Sequence, residues 1–367
     1  MIDEATMLDR FQLEALDRTL RDLTGNMYIP FGGKIILLAG DFRQCLPVVP
    51  RTNRAGTVSH CINKSFLWQH FQVFQLDENM RVRASGNPIL EEFDKWTLSI
   101  GNGLGHDESV VIPETMVTCI NPNTKDNPRR EEKSMKTFCE EIFPNLSENI
   151  RRPSWLEGRT ILAPTNSEVD SINEVMQDWL QAEGIKLQSA DTLENPEDTF
   201  RFNTEYLNTL TPNGFPKHLL CLKPGMPLML LRNINPRQGL CNGTRLIYDA
   251  CIDNKLLQCR IVESGRVVLI PRITFIPKLN EYPFEWQRRQ FPVRAAFAIT
   301  INKSQGQTLK YAGVWLRTQV FTHGQLYVAC SRVSSPDNLR FALMYNTDKK
   351  AYTADNIVFK EVLLNHD

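Results

Sequence analysis

Residues 34–48 read KIILLAGDFRQCLPV, and this stretch decides the predicted fold. Ile35–Ala39 is a continuous apolar run, which is typical of a strand covered on both faces of a parallel sheet. The run ends at Gly40–Gln44, and Pro47 prevents a simple continuation of the strand. Ligands of open α/β sheets lie outside the carboxyl ends of the strands. We therefore expect the polar residues after the strand to face a ligand, and the amide of Gln44 suits a phosphate or a water.

A second polar tip lies at residues 2–6, which read IDEAT. In nucleoside triphosphatases with a phosphate-binding loop, the Asp of such a pair helps to hold Mg²⁺, and a neighbouring carboxylate orients the attacking water. Asp3 and Glu4 suit these two roles. Adjacent acidic residues are also common in solvated loops, but the strand and tip at residues 34–48 favour the nucleotide interpretation.

Length and composition narrow the class of protein. The chain has 367 residues, enough for two or more domains, and its apolar fraction of 42% is typical of globular proteins. The formal net charge is zero, so a nucleic-acid partner would need a local cationic groove. The nine cysteines have no paired spacing, which predicts reduced thiols in an intracellular protein and argues against a zinc site. We find no apolar run long enough for a membrane span and no signal-peptide pattern.

The predicted elements place α/β segments on either side of a β-rich one. Leucines at three- and four-residue spacing predict a helix over Asp9–Leu23. Arg159–Ala163 reads as a short buried strand followed by a helix, which is the unit of a second α/β sheet. Between residues 200 and 283, short apolar runs alternate with turns, as in a small antiparallel barrel or sheet. The α/β pattern returns at Val293–Ile301.

Motifs recur in a fixed order along the chain: IDEA at 2–5, PFGG and GDFRQCLPV within 30–48, NKSQGQT at 302–308 and GQLYVACSR at 324–332. Together they strongly resemble the Pif-type DNA helicases of superfamily 1, relatives of RecD. The segment LLRNINPRQGLCNGTR at 230–245 most resembles the helicase half of Helitron rolling-circle transposon proteins. The resemblance covers essentially the whole chain.

The resemblance implies an α/β fold with two RecA-like parallel-sheet domains and an inserted small, SH3-like β-barrel module. Residues 1–100 would form the first RecA-like domain, which we expect to be incomplete. Residues 101–199 and 284–367 would form the second domain, and residues 200–283 the inserted module.

The resemblance also implies ATP and Mg²⁺ as cofactors and gives roles to the acidic and amide tips. Asp3 would hold Mg²⁺ through its water shell. Glu4 would act as the base or orienting group for the water that attacks the γ-phosphate. Gln44 resembles the sensor that couples the γ-phosphate to DNA.

Further nucleotide contacts are implied from later in the chain. Arg81 and Arg332 resemble the two arginines that approach the γ-phosphate and neutralise charge in the transition state. Gln305 and Gly306 match the loop that lies between the nucleotide and the DNA backbone.

The implied partners are single-stranded DNA and duplex junctions. Thr165 and Asn166 match a loop that touches single-stranded DNA in the family, and Lys303, Ser304 and His323 complete the predicted DNA contacts.

For several residues the sequence leaves a structural alternative open. His323 could cap a helix. Arg288 and Arg289 could contact phosphates or solvate a surface. Trp286 and Tyr282 could stack on bases, but packing in the core is the more common role for such residues.

The family's phosphate-binding loop, G-x-x-x-x-G-K-[ST], has no match in the sequence. We therefore expect an amino-terminally truncated helicase, whose family reaction is ATP-driven 5′ to 3′ translocation and unwinding but which hydrolyses ATP poorly by itself. Two other interpretations remain: a non-catalytic single-stranded-DNA-binding remnant, and a nucleotide-dependent switch without a DNA role. A transposon-type protein of this kind would act in the host nucleus.

Overall fold

The computed structural model describes residues 1–76, 78–80, 86–105, 108–123, 129–150, 152–156, 158–278 and 281–363. The α-helices are α1 (Arg10–Thr24), α2 (Arg54–His60), α3 (Pro88–Asn102), α4 (Arg130–Ile142), α5 (Leu146–Asn149), α6 (Pro153–Leu156), α7 (Asn166–Trp179), α8 (Thr204–Thr209) and α9 (Gln325–Cys330). Short 3-10 helices lie at Ala5–Met7, Pro30–Gly33, Ile62–Lys64, Trp68–His70, Glu114–Met116, Pro196–Phe200, Pro236–Gln238, Ile301–Ser304 and Pro336–Asn338. Within these described ranges, every helix is too short or too polar to span a bilayer.

The strands fall into parallel and antiparallel sheets, so the predicted α/β class is confirmed. They are β1 (Ser109–Val111), β2 (Val117–Cys119), β3 (Arg159–Ala163), β4 (Ile185–Gln188), β5 (Ala190–Leu193), β6 (Leu219–Leu222), β7 (Pro227–Leu230), β8 (Arg245–Ile252), β9 (Leu256–Ile261), β10 (Val267–Pro271), β11 (Ile273–Phe275), β12 (Trp286–Gln290), β13 (Val293–Ala295), β14 (Ala298–Thr300), β15 (Tyr311–Trp315), β16 (Leu339–Leu343), β17 (Tyr345–Asn346) and β18 (Ala351–Asp355).

The chain divides into two compact units. Unit 1 comprises Met1–Phe138, Leu162–Asn166 and Thr300–Asp367, and unit 2 comprises Cys139–Ile161 and Ser167–Ile299. The domain boundaries predicted from the sequence stay a prediction.

Unit 1 contains parallel strands. β15 pairs with β16, and β16 pairs with β2, both in parallel register. They belong to a sheet of order β14-β3-β15-β16-β2, and the last residues of β3 and β14 lie in this unit. Trp315 and Phe341 are fully buried, as expected for strands covered on both faces. A smaller sheet of order β1-β18-β17 lies in the same unit.

Helix α1 forms where the leucine spacing predicts it, and it holds the turn that precedes the opening stretch. The Asp9 carboxylate accepts from the Phe11 N–H at 2.9 Å and caps the first turn, and Gly25 ends the helix at φ 68°. The buried carboxylate of Asp17 accepts from the Phe31 N–H at 2.5 Å. Helix α1 thereby fixes the Pro30–Gly33 turn that leads into residue 34.

One prediction about the opening stretch is wrong, because Ile35–Ala39 is not covered on both faces. Ile35 is 98% exposed and Leu37 is 56% exposed. Among the described residues, this stretch pairs through one parallel bridge, between Leu38 and Ile2. An apolar run predicts that a strand can be buried, but burial of both faces also requires elements packed over both faces. Ile36 and Leu38 pack against the core of unit 1, whereas Ile35 and Leu37 project outward.

Unit 2 is built on antiparallel sheets, as predicted for the β-rich segment. The larger sheet has the order β10-β9-β8-β7-β13, and its inward side chains form one apolar core that includes Leu228, Leu246 and Ile270. A second sheet has the order β11-β12-β5. The likeness of this segment to an SH3 barrel stays a prediction.

Arg288 lies on β12 and joins the parts of the second sheet through a buried ion pair. Its Nη2 lies 2.6 Å from Asp191 Oδ2 on β5, and both side chains are fully buried. The guanidinium also donates to the carbonyl oxygens of Leu207, Leu210 and Pro216. Neither role considered from the sequence for Arg288, phosphate contact or surface solvation, is therefore correct. The expectation of core packing is correct for Trp286, on the same strand, which is buried.

We predict that Arg288→Ala lowers the free energy of unfolding of unit 2 by about 3–5 kcal/mol, because it leaves the Asp191 carboxylate buried without a counter-charge. The matched control is Asp249→Ala, which removes a partly exposed ion pair with Arg260 and should cost about 1 kcal/mol or less. Urea denaturation measures both values. Equal losses in the two variants would contradict the prediction.

Candidate functional site

The acidic tip at the start of the chain is held by backbone pairing. The Ile2 N–H donates to Leu37 O at 2.8 Å, and the Ala39 N–H donates to Ile2 O at 2.9 Å. Glu4 follows in the left-handed region, at φ 50°, and starts the Ala5–Met7 helix. Asp3 is exposed and Glu4 is half-buried. The two carboxylates therefore follow a bridged residue, Ile2, at the position where the sequence predicts a strand end.

The loop Gly40–Gln44, which we call the sensor loop, packs against this acidic tip. A Cβ on Gly40 would lie 3.2 Å from the backbone nitrogens of Ala5 and Thr6, so the two segments meet at backbone distance. The Gln44 N–H donates to Asp41 O at 3.0 Å, which closes the loop. Among the described residues, no group donates to the buried Oε1 of Gln44.

The third segment of the site is the turn that contains Gln305 and Gly306. Gln305 Nε2 donates to Glu4 Oε2 at 2.7 Å, and the Oε1 of Gln305 is buried without a donor in the described chain. Gly306 adopts φ 77°, and a Cβ there would lie 3.5 Å from Glu4 Oε1. The structure therefore brings together Glu4, Gln305 and Gly306, as the resemblance implies.

The buried thiol of Cys45 lies within electrostatic range of both Arg332 and Glu4. Burial raises the pKa of Cys45 to about 12, while the positive charge of Arg332 lowers this pKa and the negative charge of Glu4 raises it. Both charges therefore act on the residue that follows Gln44. Asp3, Glu4, Gln44, Gln305 and Arg332 accordingly belong to one region of unit 1.

Arg332 is buried and bonded to its own chain. Its Nε donates to Val328 O at 2.9 Å, within the final turn of α9. Its Nη1 donates to Ser304 O at 3.3 Å and to Gln307 O at 3.0 Å, and its Nη2 donates to Ser331 Oγ at 2.9 Å. Arg332 thus fastens the Gln305 turn to the end of α9. Its predicted contact with the γ-phosphate stays a prediction.

The start of α9 holds the sensor loop through three contacts. His323 Nε2 donates to Phe42 O at 2.7 Å, and Tyr327 donates to Asp41 Oδ2 at 2.9 Å. Between them, Gly324 at φ 74° lies so close to the loop that a Cβ would come within 2.4 Å of Arg43 O. Helix α9 therefore sets the position of the loop that carries Gln44.

Two of the predicted DNA contacts are corrected by their burial. His323 is fully buried, its Nε2 is bonded as above, and its Nδ1 accepts from the Phe359 N–H at 2.7 Å. No ring nitrogen remains for a DNA phosphate. Ser304 is also fully buried, and its hydroxyl donates to Ile301 O at 2.7 Å. Both residues hold backbone in place.

The other predicted DNA residues follow neighbouring strands of one sheet. Thr165 and Asn166 follow β3, and Lys303 lies in the turn after β14, which is next to β3 in the strand order. Asn166 and Lys303 are exposed, and Thr165 is half-buried. Arg81 lies outside the described residues.

The residues of the site fit the Mg²⁺ ion and the attacking water of the implied MgATP group, but not its phosphates. Buried acceptor oxygens on Gln44 and Gln305 suit a water, which has two donors. The exposed carboxylate of Asp3 suits Mg²⁺, which is held by one or two carboxylates together with substrate phosphates. In the part of the chain that the structure describes, no cluster of three or more metal-ligating side chains occurs. The phosphates themselves need the donors of a glycine-rich loop and its Lys, and the sequence has no match to this G-x-x-x-x-G-K-[ST] motif.

Sequence reasoning missed the positioning role of Tyr327 and Asp41. Burial raises the pKa of Tyr327 well above its usual range, and the neighbouring Asp41 carboxylate raises it further. Asp41 also accepts from the Arg43 N–H at 2.9 Å. Both residues lie inside quoted motifs, but motif order alone does not reveal which side chains pair.

Two family models match the chain. The model of PIF1-like helicases matches residues 1–110, and the model of the 2B domain of the DNA helicase Pif1 matches residues 205–248. Among curated proteins, the ATP-dependent DNA helicase PIF7 of Trypanosoma brucei brucei is 25% identical over 92% of this chain. The ATP-dependent DNA helicases PIF1 of Danio rerio and Pif1 of Bdellovibrio bacteriovorus are each 26% identical, over 93% and 92% of it. The chain spans 35%, 45% and 64% of the length of these three relatives.

Solved structures share the fold. The crystal structure of Pif1 helicase from Candida albicans matches 96% of this chain, with a TM-score of 0.62 and 24% identity, and 72% of that chain is covered. The crystal structure of Bacteroides Pif1 bound to single-stranded DNA matches 100% of this chain, with a TM-score of 0.61 and 20% identity, again over 72% of that chain.

We predict that Gly324→Ala is more destabilising than Gly25→Ala. Both positions have positive φ, 74° and 68°, so both variants carry the left-handed penalty of about 1–2 kcal/mol. Only the methyl group introduced by Gly324→Ala would clash with the sensor loop, since the Cβ at Gly25 would meet nothing within 4 Å. Urea denaturation compares the losses of unfolding free energy in unit 1. Equal losses would show that the loop does not lie against α9.

The pH dependence of stability should carry a contribution from His323. Burial lowers the pKa of His323, so the folded state binds its proton less readily than the unfolded state does. This contribution is complete above the unfolded pKa of about 6.5 and declines as the pH falls towards the lower folded value. We expect His323→Gln to lose less stability than the wild type between about pH 8 and about pH 5 in urea denaturation. The exposed control His70→Gln should behave as the wild type, and an unchanged pH dependence in His323→Gln would contradict the prediction.

Proposed function

Because this chain belongs to the family of Pif1-like helicases, we propose that it forms part of a motor that couples ATP hydrolysis to movement along single-stranded DNA. In this proposal the motor moves 5′ to 3′ and opens duplex junctions. The observation that carries the proposal is the contact between Glu4 and Gln305, beside a sensor loop with a buried, unpaired amide oxygen. Similar solved structures support it: Bacteroides Pif1 in complex with ADP-AlF3 and single-stranded DNA, and two coordinating Pif1 helicases at forked duplex DNA.

Each polar tip has a role in the proposed reaction. Bound MgATP supplies the phosphoryl group whose transfer to water releases free energy. Glu4 orients the attacking water and accepts its proton, and the Gln305 amide keeps the Glu4 carboxylate in place. Gln44 contributes its buried oxygen as a second acceptor for that water. Asp3 would hold Mg²⁺ through its water shell.

The proposed coupling to DNA follows from the connection between the Gln305 turn and Lys303. The Gln305 turn directly follows Lys303 and is fastened by Arg332. A displacement of the turn by nucleotide would therefore move the exposed Lys303 ammonium. Together with Thr165 and Asn166, Lys303 would form the local cationic track that a chain of zero net charge needs for DNA. We retain these three residues as the proposed DNA contacts.

A second candidate function is single-stranded-DNA binding without catalysis. Two observations favour it: the sequence lacks the phosphate-binding loop, and four donor contacts of Arg332 go to its own chain. In either case we propose membership of the Helitron subgroup, on the wording of residues 230–245. Roles in transposon replication, in DNA repair and recombination or in telomere maintenance, and action in the nucleus, are proposals of the same kind.

We predict that the isolated chain hydrolyses ATP close to the background rate, with or without DNA. The β- and γ-phosphates lack the Lys and the backbone amides that normally hold them. A coupled phosphate-release assay measures this rate. Strong DNA-stimulated turnover that is lost in Glu4→Gln would contradict the prediction.

We expect salt-dependent binding of a fluorescent single-stranded oligonucleotide, measured by anisotropy. Lys303→Ala should weaken the binding and reduce the slope of log K against log salt by about 0.7, the value for one phosphate contact on a single strand. The control Lys360→Ala should match the wild type. An unchanged slope in Lys303→Ala would remove this residue from the DNA track. Absence of salt-dependent binding in the wild type would favour the nucleotide switch without a DNA role.

A further inference from the structure

Unit 2 carries a series of aromatic rings that runs from its core to its surface. Phe284 is buried in a core cluster of this unit, and Phe202 packs against it with 4.1 Å between the ring centroids. Tyr206 stacks on Phe202 at 5.9 Å and is 44% exposed, and Phe200 is 93% exposed. Packing in the core therefore fixes the inner rings, while the outer two rings are open to solvent.

The backbone that carries the outer rings is held by two asparagine caps. The Asn195 side chain accepts a backbone N–H at 3.1 Å and starts the Pro196–Phe200 helix. The Asn203 side chain accepts from the Tyr206 N–H at 2.8 Å and starts α8. An open groove of about 420 Å³, which we call the aromatic groove, is lined by residues 199–203 and by Tyr206. The caps thus shape this groove before any partner binds.

The surface around the aromatic groove is acidic. Over residues 194–206 and 281–285 the sequence has six acidic residues and one basic residue, Arg201. The acidic residues are Glu194, Glu197, Asp198, Glu205, Glu281 and Glu285. The two ranges are in contact, since the Glu194 N–H donates to Glu285 O at 3.0 Å. The ion pairs described in unit 2 use other carboxylates, so these six charges are not neutralised in that way.

Exposed aromatic rings bordered by carboxylates are complementary to a cation. An Arg guanidinium stacks on an aromatic face, and its planar donors also pair with carboxylates. Glu205 is the neighbour of Tyr206 in sequence, and Glu281 is the neighbour of Tyr282. A nucleic-acid strand also stacks on exposed rings, but the acidic residues would repel its phosphates. The charge therefore favours a basic protein segment over DNA.

We propose that the aromatic groove binds an arginine-rich segment of a partner protein, with guanidinium groups stacked on Phe200 and Tyr206 and neighbouring arginines paired with the surrounding carboxylates. The groove contains none of the residues of the proposed nucleotide and DNA sites, so this proposal is independent of the proposed function. Arg201 is the one opposing charge in the groove. Its removal should strengthen the binding of a basic segment, whereas it would weaken the binding of a DNA phosphate.

The test is an anisotropy titration of the whole chain with a fluorescent synthetic peptide of alternating Arg and Gly, without nucleotide or DNA. We expect saturable binding that weakens as the salt concentration rises. The same peptide with Gln in place of Arg should not bind. Equal binding of the two peptides would overturn the proposal.

Aromatic variants test the stacking. Phe200→Leu/Tyr206→Leu should bind the peptide about tenfold more weakly, because it keeps apolar surface but removes two aromatic faces. The control Tyr28→Leu/Phe66→Leu removes two exposed rings from unit 1 and should bind as the wild type. Circular dichroism checks folding, and Phe200→Leu alone, at the most exposed ring of the groove, replaces the double variant if that one is misfolded. Unchanged binding in the folded variant would overturn the proposal.

Charge variants test the complementarity. Glu197→Gln/Glu205→Gln should weaken the binding and reduce its salt dependence. The control Glu91→Gln/Glu92→Gln removes two exposed carboxylates from α3 and should match the wild type. Arg201→Gln should strengthen the binding about threefold, since one exposed like charge is removed. Weaker peptide binding by Arg201→Gln would overturn the proposal.

Two further measurements identify other occupants. A single-stranded oligonucleotide that both Phe200→Leu/Tyr206→Leu and Arg201→Gln bind more weakly than the wild type would assign the groove to DNA and overturn the proposal. Sedimentation that shows a wild-type dimer, lost in Phe200→Leu/Tyr206→Leu, would assign the groove to a second copy of this chain and also overturn it.

Discussion

The contact between the start of α9 and the sensor loop is the constraint on which the rest of the site depends. The sensor loop follows an extended stretch that forms one bridge, with Ile2, so backbone pairing alone does not fix the loop. Three interactions fix the position of the loop. His323 Nε2 donates to Phe42 O, and the Tyr327 hydroxyl donates to the Asp41 carboxylate. Gly324, which has no Cβ, permits backbone contact with the loop. The His323 bond joins residues that are 281 positions apart. Gln44 therefore takes its position from a helix near the end of the chain.

The same helix ends at Cys330, and Arg332, two residues later, extends this connection to the Gln305 turn. Gln305, in that turn, donates to Glu4, which lies beside the sensor loop. These contacts connect α9, the sensor loop, the acidic tip and the Gln305 turn in a closed ring, which joins segments from early and late in the chain. A change at any member, such as a new partner for the Glu4 carboxylate, alters the balance of hydrogen bonds around the ring. In the proposed function, this ring is the route by which nucleotide binding reaches the exposed Lys303.

The sequence predicted the parts of this site that local chemistry determines. The leucine spacing predicted α1, and the family resemblance implied that Glu4 and Gln305 belong to one site. Burial was harder to predict, because it depends on which neighbours the fold supplies. The sequence motif does not tell whether its histidine contacts a ligand or holds a loop in place. In the structure, His323 holds a loop in place. Ile35 is exposed for the converse reason: its apolar character predicts burial, but its side chain projects outward from the core of unit 1.

The acceptor oxygens at the site are costly to leave without donors. A buried acceptor without a donor costs about 1–3 kcal/mol, and the oxygens of Gln44 and Gln305 both have this status. A group that brings N–H donors or a positive charge would satisfy these oxygens. An acidic group is disfavoured, because Asp3 and Glu4 would repel it. The charge of the site thus constrains what can bind there.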